Sequence, residues 1–157
     1  MHIETRPAHD LTAAEIHAVL KLRCEVFIVE QDCAYADIDG QDLLDDTIHL
    51  WAVEDGEVLG TIRILRAHSQ QPAIGRVVTA PAGRGRGIAS ALLAQGITLC
   101  GPTAAIRLDA QEHLETWYER FGFRRSGESY MDGKIPHVPM TRSPQQDKRV
   151  TPEVSPE

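Results

Sequence analysis

A chain of 157 residues, 42% apolar and 25% charged, has the size and composition of a single globular domain able to bury a sizeable core. A formal charge of -7 argues against nucleic acid as its principal partner. No apolar run reaches the length needed to cross a membrane, and the opening "MHIETRPAHD" lacks the basic-then-apolar layout of a secretory leader.

In chain order, "LTAAEIHAVLKLRCEVFIVEQ" predicts a helix whose entry carries Thr12 and Glu15 at capping-box spacing. Ile16, Val19, Leu20 and Phe27 fall near one helical face, with Arg23 interrupting it. From Glu30 to Asp46 the periodicity dissolves into an acidic loop. "TIHLWAVEDGEVLGTIRILRA" then reads as two strands joined at Asp55-Gly56, a short-hairpin signal. A third strand is expected at "AIGRVVT", a helix at "GIASALLAQGITLC", a strand at "AAIRLDAQ", a helix at "HLETWYERFGF", and two short strands near "RRSGESYM" and "IPHVPMT". The polar, proline-containing stretch 143–157 offers nothing to bury and is expected to be disordered, leaving residues 1–142 as the domain. This alternation predicts a mixed α/β sheet. Cys24, Cys33 and Cys100 are odd in number and form no CxxC pair, so a reducing cytoplasm is the expected compartment. Cys33 invites a nucleophile reading, but an acyl-cysteine route needs an activating base nearby.

"VVTAPAGRGRGIASALL" (residues 77–93) sets glycines and arginines at the doorway of the second long helix. A helix start leaves backbone N–H groups unpaired and carries partial positive charge. Gly85 and Gly87 let the backbone curve tightly against a ligand, Ala89 keeps the first turn small, and Arg84 and Arg86 add full charges. These are the requirements for holding a phosphate or diphosphate. A solubilising glycine-rich turn is the plainer alternative. A Walker loop is absent, and a dinucleotide fingerprint fits poorly because Ser90 stands where glycine or alanine is needed.

The stretch resembles the signature of the GCN5-related N-acetyltransferases, an Arg/Gln-x-x-Gly-x-Gly/Ala loop whose defining positions are filled by Arg84, Gly87 and Ala89. Over roughly residues 1–142 the chain is similar to the small ElaA-type branch, through "LKLRCEVFIVEQDCAYADIDGQD", "AQEHLETWYERFGF" and "GKIPHVPM". The resemblance implies an α/β fold with a mixed, mostly antiparallel central sheet flanked by helices and a V-shaped splay between two parallel strands. It implies acetyl-CoA as co-substrate, without a metal. Val77, Val78 and Thr79 would meet the pantetheine arm, while Gly85, Arg86, Gly87, Ile88, Ala89 and Ser90 would wrap the diphosphate. Tyr118, four residues before the Gly122-Phe123 pair, would assist the leaving thiolate, and Gln111 stands where relatives carry a cofactor-contacting asparagine. Leu114, Tyr118 and Phe121 also read as an ordinary core stripe.

Acetyl transfer to an ammonium requires removal of a proton, costing about 4–5 kcal/mol at pH 7 for a lysine-like amine. Some relatives place an acidic base on the strand before the tyrosine helix, where this chain has Ile106. Glu30 and His137 are the remaining candidate bases, with His49 behind them. Glu30, Asp32, Asp37, Asp39, Asp42, Asp45 and Asp46 lie in a loop without lysine or arginine. They suggest a field attracting a cationic amine, or simply a solvated loop, with Tyr35 either facing the acceptor or pinning the segment. The spacing does not match a calcium loop. The leading expectation is direct transfer of acetyl to a primary amine of a small molecule or peptide. A longer acyl donor and a non-catalytic acyl-CoA sensor are the alternatives.

Overall fold

The computed structural model describes residues 1–145. Its first element, β1 (His2–Pro7), stands ahead of the helix with which the sequence pattern opens the domain, and runs antiparallel to β2 (Ile48–Glu54). β1 is a sheet edge; of its side chains Ile3 packs on the core, and the rest are largely polar, so the alternation is too weak to announce a strand.

α1 (Ala13–Arg23) starts with both halves of the capping box formed, Thr12 Oγ1 accepting from Glu15 N at 3.1 Å and Glu15 Oε2 accepting from Thr12 N at 3.0 Å. From Cys24–Glu30 the coil widens to π-helical spacing, with Gln31 N donating to Val26 O at 3.0 Å. Leu22, Val26 and Phe27 are buried on this helix, and Arg23, which breaks the apolar face in sequence, is fully buried as well.

β2 turns into β3 (Glu57–Leu65) at Asp55 and Gly56, whose φ values of 51° and 79° form the left-handed pair that a tight hairpin needs. β4 (Ala73–Thr79) pairs antiparallel with β3, but the register slips: Thr61 faces Val78 and Arg63 faces Gly75. Arg76 and Val77 therefore both stand opposite Ile62, forming a bulge with Arg76 at φ 53°. α2 (Ile88–Cys100) lies close over β3, because a side chain at Gly96 would come within 2.7 Å of Ile62.

β5 (Ile106–Gln111) is parallel to β4, with Ala73 opposite Arg107 as their paired residues. Beyond that point the two strands diverge, which produces the expected V. On its far side β5 pairs antiparallel with β8 (Ile135–Arg142), which puts His137 beside Gln111. The full order is β1-β2-β3-β4-β5-β8-β6, with β6 (Arg124–Arg125) and β7 (Tyr130–Asp132) both on β8.

Two elements differ from what the sequence predicts. The strand predicted at "RRSGESYM" is two short pieces, because Pro139 of β8, opposite the gap, lacks the N–H group a continuous ladder would use, while Ser126 N bonds Pro139 O at 2.8 Å. The helix predicted over "HLETWYERFGF" is a tight turn at Glu112–Leu114 followed by the short α3 (Glu115–Glu119), closed by Gly122 at φ 88°. The main core lies between α2, α3 and one face of the sheet, with Ile62, Leu92, Leu93, Ile106 and Phe123 excluded from solvent. Gln145 N donates to Pro102 O at 2.8 Å, so the start of the stretch expected to be disordered is tied to the domain; the remainder, 146–157, lies outside the described residues.

Candidate active site

Where β4 and β5 separate, a cleft of about 930 Å³ opens, with the π-helical end of α1 on one side and α3 and the β7–β8 hairpin on the other. Val77, Val78, Thr79, Arg84, Ala89, Gln111, Tyr118, Glu30 and His137 all line it. Between β4 and α2 a smaller hollow of about 250 Å³ adjoins it, lined by Gly85, Gly87, Ile88 and Ser90, with Thr79, Arg84, Ala89 and Trp117 common to both. Arg86 lines neither; its Nη2 donates to Glu54 Oε1 at 2.8 Å.

Gly85 and Gly87 both sit at φ 74°, a left-handed conformation that glycine adopts freely, and no atom lies within 4 Å of where their Cβ atoms would be. Gly87 is the N-cap of α2, and no side chain caps the helix. The first amides of α2 thus face open space beside Arg84, an arrangement suited to an anion. Arg84 forms a two-pronged contact with Glu30, Nη1 donating to Oε1 at 2.7 Å. That hydrogen bond holds the Glu30 carboxyl below its ordinary range.

Tyr118 is 6% exposed and packs edge-on against Phe123 and Trp117. Burial pushes its hydroxyl well above the ordinary phenol range. The core-stripe reading holds only in part, because Leu114 is exposed and faces the cleft. His137 Nδ1 lies 2.9 Å from the carbonyl oxygen of Ile135. A carbonyl only accepts, so Nδ1 carries the proton, and in the neutral imidazole Nε2 keeps its lone pair. The ring stacks on Tyr130 at 6.0 Å. His49, by contrast, is fully buried away from the cleft, with Nε2 2.8 Å from Asp42 O, and has no route to a substrate.

The acidic loop is part ion-pair network and part solvated run: Asp37, Asp39 and Asp42 are held by arginines, whereas Asp32 and Asp45 are exposed. Asp37 accepts from Arg23 Nε at 3.0 Å and Asp42 from Arg23 Nη1 at 2.6 Å. Asp39 accepts from Arg63 Nη1 and Nη2, each at 2.9 Å. Asp32 lies 3.3 Å from Lys134, and Glu30 is held by Arg84. Arg76 Nε is 2.8 Å from Asp37 Oδ1 but off the hydrogen-bonding axis, a charge contact; its Nη2 donates to Asp37 O at 3.1 Å. Burial alone would raise the Asp39 carboxyl, yet hydrogen bonds from Arg63 and Gln41 bring it well below its ordinary range. The cations come from α1, β3, β4, the loop before α2 and the β7–β8 turn, so a window over residues 30–46 does not reveal them. Tyr35 pins the loop through its hydroxyl, which donates to Asp37 Oδ1 at 3.1 Å, and its ring also lines the cleft.

Several cleft residues escaped the sequence reading. Gln31 reaches Gln111, whose Nε2 donates to Gln31 Oε1 at 3.2 Å. Asp109, Tyr130 and Asp132 line the same cavity, and the alternation in "IRLDAQ" could have flagged Arg107, Asp109 and Gln111 as one face of β5.

The model of the acetyltransferase (GNAT) domain family matches residues 8–144. A UPF0039 protein of Mycobacterium tuberculosis (strain H37Rv) is 42% identical over 139 residues, 86% of this chain and 88% of that one. An acyl-CoA N-acyltransferase from Pseudomonas aeruginosa superposes with a TM-score of 0.86 at 39% identity, covering 90% of this chain and 99% of its own. Escherichia coli ElaA does so with a TM-score of 0.84 at 34% identity, over 90% and 99%. With a cleft at the splay and an uncapped helix at its mouth, the chain belongs to the GNAT acetyltransferase family, in the group of ElaA and the UPF0039 proteins.

Proposed function

We propose that this protein carries acetyl from acetyl-CoA to a primary amine of a small molecule or peptide, by direct transfer with both bound together. The observation that carries the reading is the continuity of the cleft: one cavity reaches from Arg84 and Ala89 beside the uncapped start of α2, past the open edge of β4, to the Tyr118 hydroxyl. The amides of α2 and the left-handed turns at Gly85 and Gly87 suit the diphosphate, and the edge of β4 suits the pantetheine arm. Exposed ion pairs contribute about 0–1 kcal/mol, so a diphosphate can draw Arg84 from Glu30.

Between the two candidate bases, Nε2 of His137 has no partner among the described residues and favours His137, whereas the Glu30 carboxylate is engaged by Arg84 and weakened as a base until a diphosphate draws that arginine away. Of the carboxylates that line the cleft, Glu30 and Asp39 are paired with arginines. Asp109 and Asp132 have no basic side chain within 4 Å among the described residues, so a preference for cationic acceptors rests on them rather than on the loop.

Release of free thiol from acetyl-CoA across a panel of amines tests the reading. Turnover is expected with primary amines and more readily with diamines than with neutral acceptors; its acidic limb is expected to vanish in His137→Gln and persist in Glu30→Gln. Binding of acetyl-CoA without thiol release for any amine would contradict catalysis.

A further inference from the structure

We infer that Arg76 is a positioning residue, clamped by the 31–46 segment, that holds the β4 bulge and thereby keeps the edge of β4 turned into the cleft. The inference rests on the reading that this edge receives the pantetheine arm. Arg76 is not glycine, yet it holds φ 53° in the middle of a strand, next to Gly75 and opposite Ile62, where β3 and β4 lose register. Left-handed backbone at a long side chain persists only where surrounding contacts over-determine it, and such positions gather at functional sites.

Here the contacts come from 37 to 41 residues away in the chain. The Arg76 guanidinium lies 5.6 Å from the centre of the Tyr35 ring, against Asp37 Oδ1 at 2.8 Å and Asp39 Oδ2 at 3.3 Å, and donates to the Asp37 carbonyl. Asp37 and Asp39 are themselves held by Arg23 and Arg63, so the anchor is fixed to α1 and β3. The bulge inserts one extra residue just before Val77 and Val78, at the point where β4 has left β5. A regular ladder would rotate those residues and their peptide groups relative to the cleft. The buried ion pairs of the acidic segment thus act on the cleft through Arg76, rather than on a substrate directly.

Removing the Arg76 side chain leaves Asp37 with Arg23 and Asp39 with Arg63, so Arg76→Ala and Arg76→Gly are expected to fold; glycine relieves the left-handed backbone but, without the clamp, leaves its conformation free rather than fixed. Calorimetry with coenzyme A and with adenosine diphosphate separates the arm from the diphosphate. Both variants are expected to lose affinity for coenzyme A by about tenfold or more, and to bind adenosine diphosphate within about twofold of the wild type. Millimolar guanidinium is expected to restore coenzyme A affinity to Arg76→Gly. Coenzyme A affinity unchanged in both variants, or equal loss for both ligands, would overturn the inference. Ligand-free amide spectra decide it independently of the functional reading: the peaks of Val77 and Val78 should move in Arg76→Gly and return with guanidinium. A wild type that binds no coenzyme A would sink the reading of the edge, while unmoved peaks would sink the clamp.

Discussion

Burial holds the Tyr118 phenol well above its ordinary range, so it favours keeping its proton, and the residue lines the cleft. From reference values alone, giving that proton to a thiolate is uphill by about 2 kcal/mol, and burial raises the barrier further. Tyr118 is therefore suited to hydrogen-bond the sulfur as charge develops, instead of transferring the proton completely. Tyr118→Phe is expected to lower kcat by about 100-fold with little change in coenzyme A affinity; wild-type kcat in steady-state assays would contradict this role. Tyr118 and Gln111 were legible only through the family resemblance, which sets such residues at fixed distances from the Gly122-Phe123 pair. Arg23 was not, since burial of an arginine depends on partners 14 and 19 residues on, and it reads locally as a flaw in an apolar face. Gln31 and Arg76 were hidden for the same reason, their partners standing 80 and 39 residues away.

The loop and α2 form the element on which cofactor binding is proposed to depend. Valine at residue 87 would hold a β-branched side chain at φ 74°, with a strain of about 1–3 kcal/mol, and would put its methyl groups into space that is now open. Gly87→Val is expected to weaken coenzyme A binding by tenfold or more at about 1.4 kcal/mol per decade. Circular dichroism should remain that of the wild type. Undiminished affinity by calorimetry would remove this loop from the site. Elements with strong local signals were legible: "AIGRVVT" coincides with β4, and the Asp55-Gly56 turn and the Thr12 box form as expected. Those set by neighbours were not. β1 exists because β2 offers it an edge, and the break between β6 and β7 follows from Pro139 on the strand opposite.

Across the whole molecule, buried charge links stability to pH. Burial lowers the affinity of His49 for its proton, and arginine partners hold Asp39 and Asp42 below their ordinary range despite burial. Each binds its proton less tightly folded than unfolded, so the unfolded chain takes up more protons and stability rises with pH through these ranges. Stability is expected to begin falling as pH drops below about 6.5, through His49, and to fall more steeply below about 4, through the aspartates. Urea melts from pH 7 to 3 check this; His49→Gln should flatten the first stage alone, and a level profile down to pH 4 would contradict it.

The mouth of α2 is expected to receive the coenzyme while β4 receives its arm. Titrating coenzyme A into the isotopically labelled protein, and following backbone amides, tests that most directly. Residues 85–90 and 77–79 are expected to shift together at a single affinity. Shifts confined to other surfaces, with residues 85–90 unmoved at saturation, would contradict it.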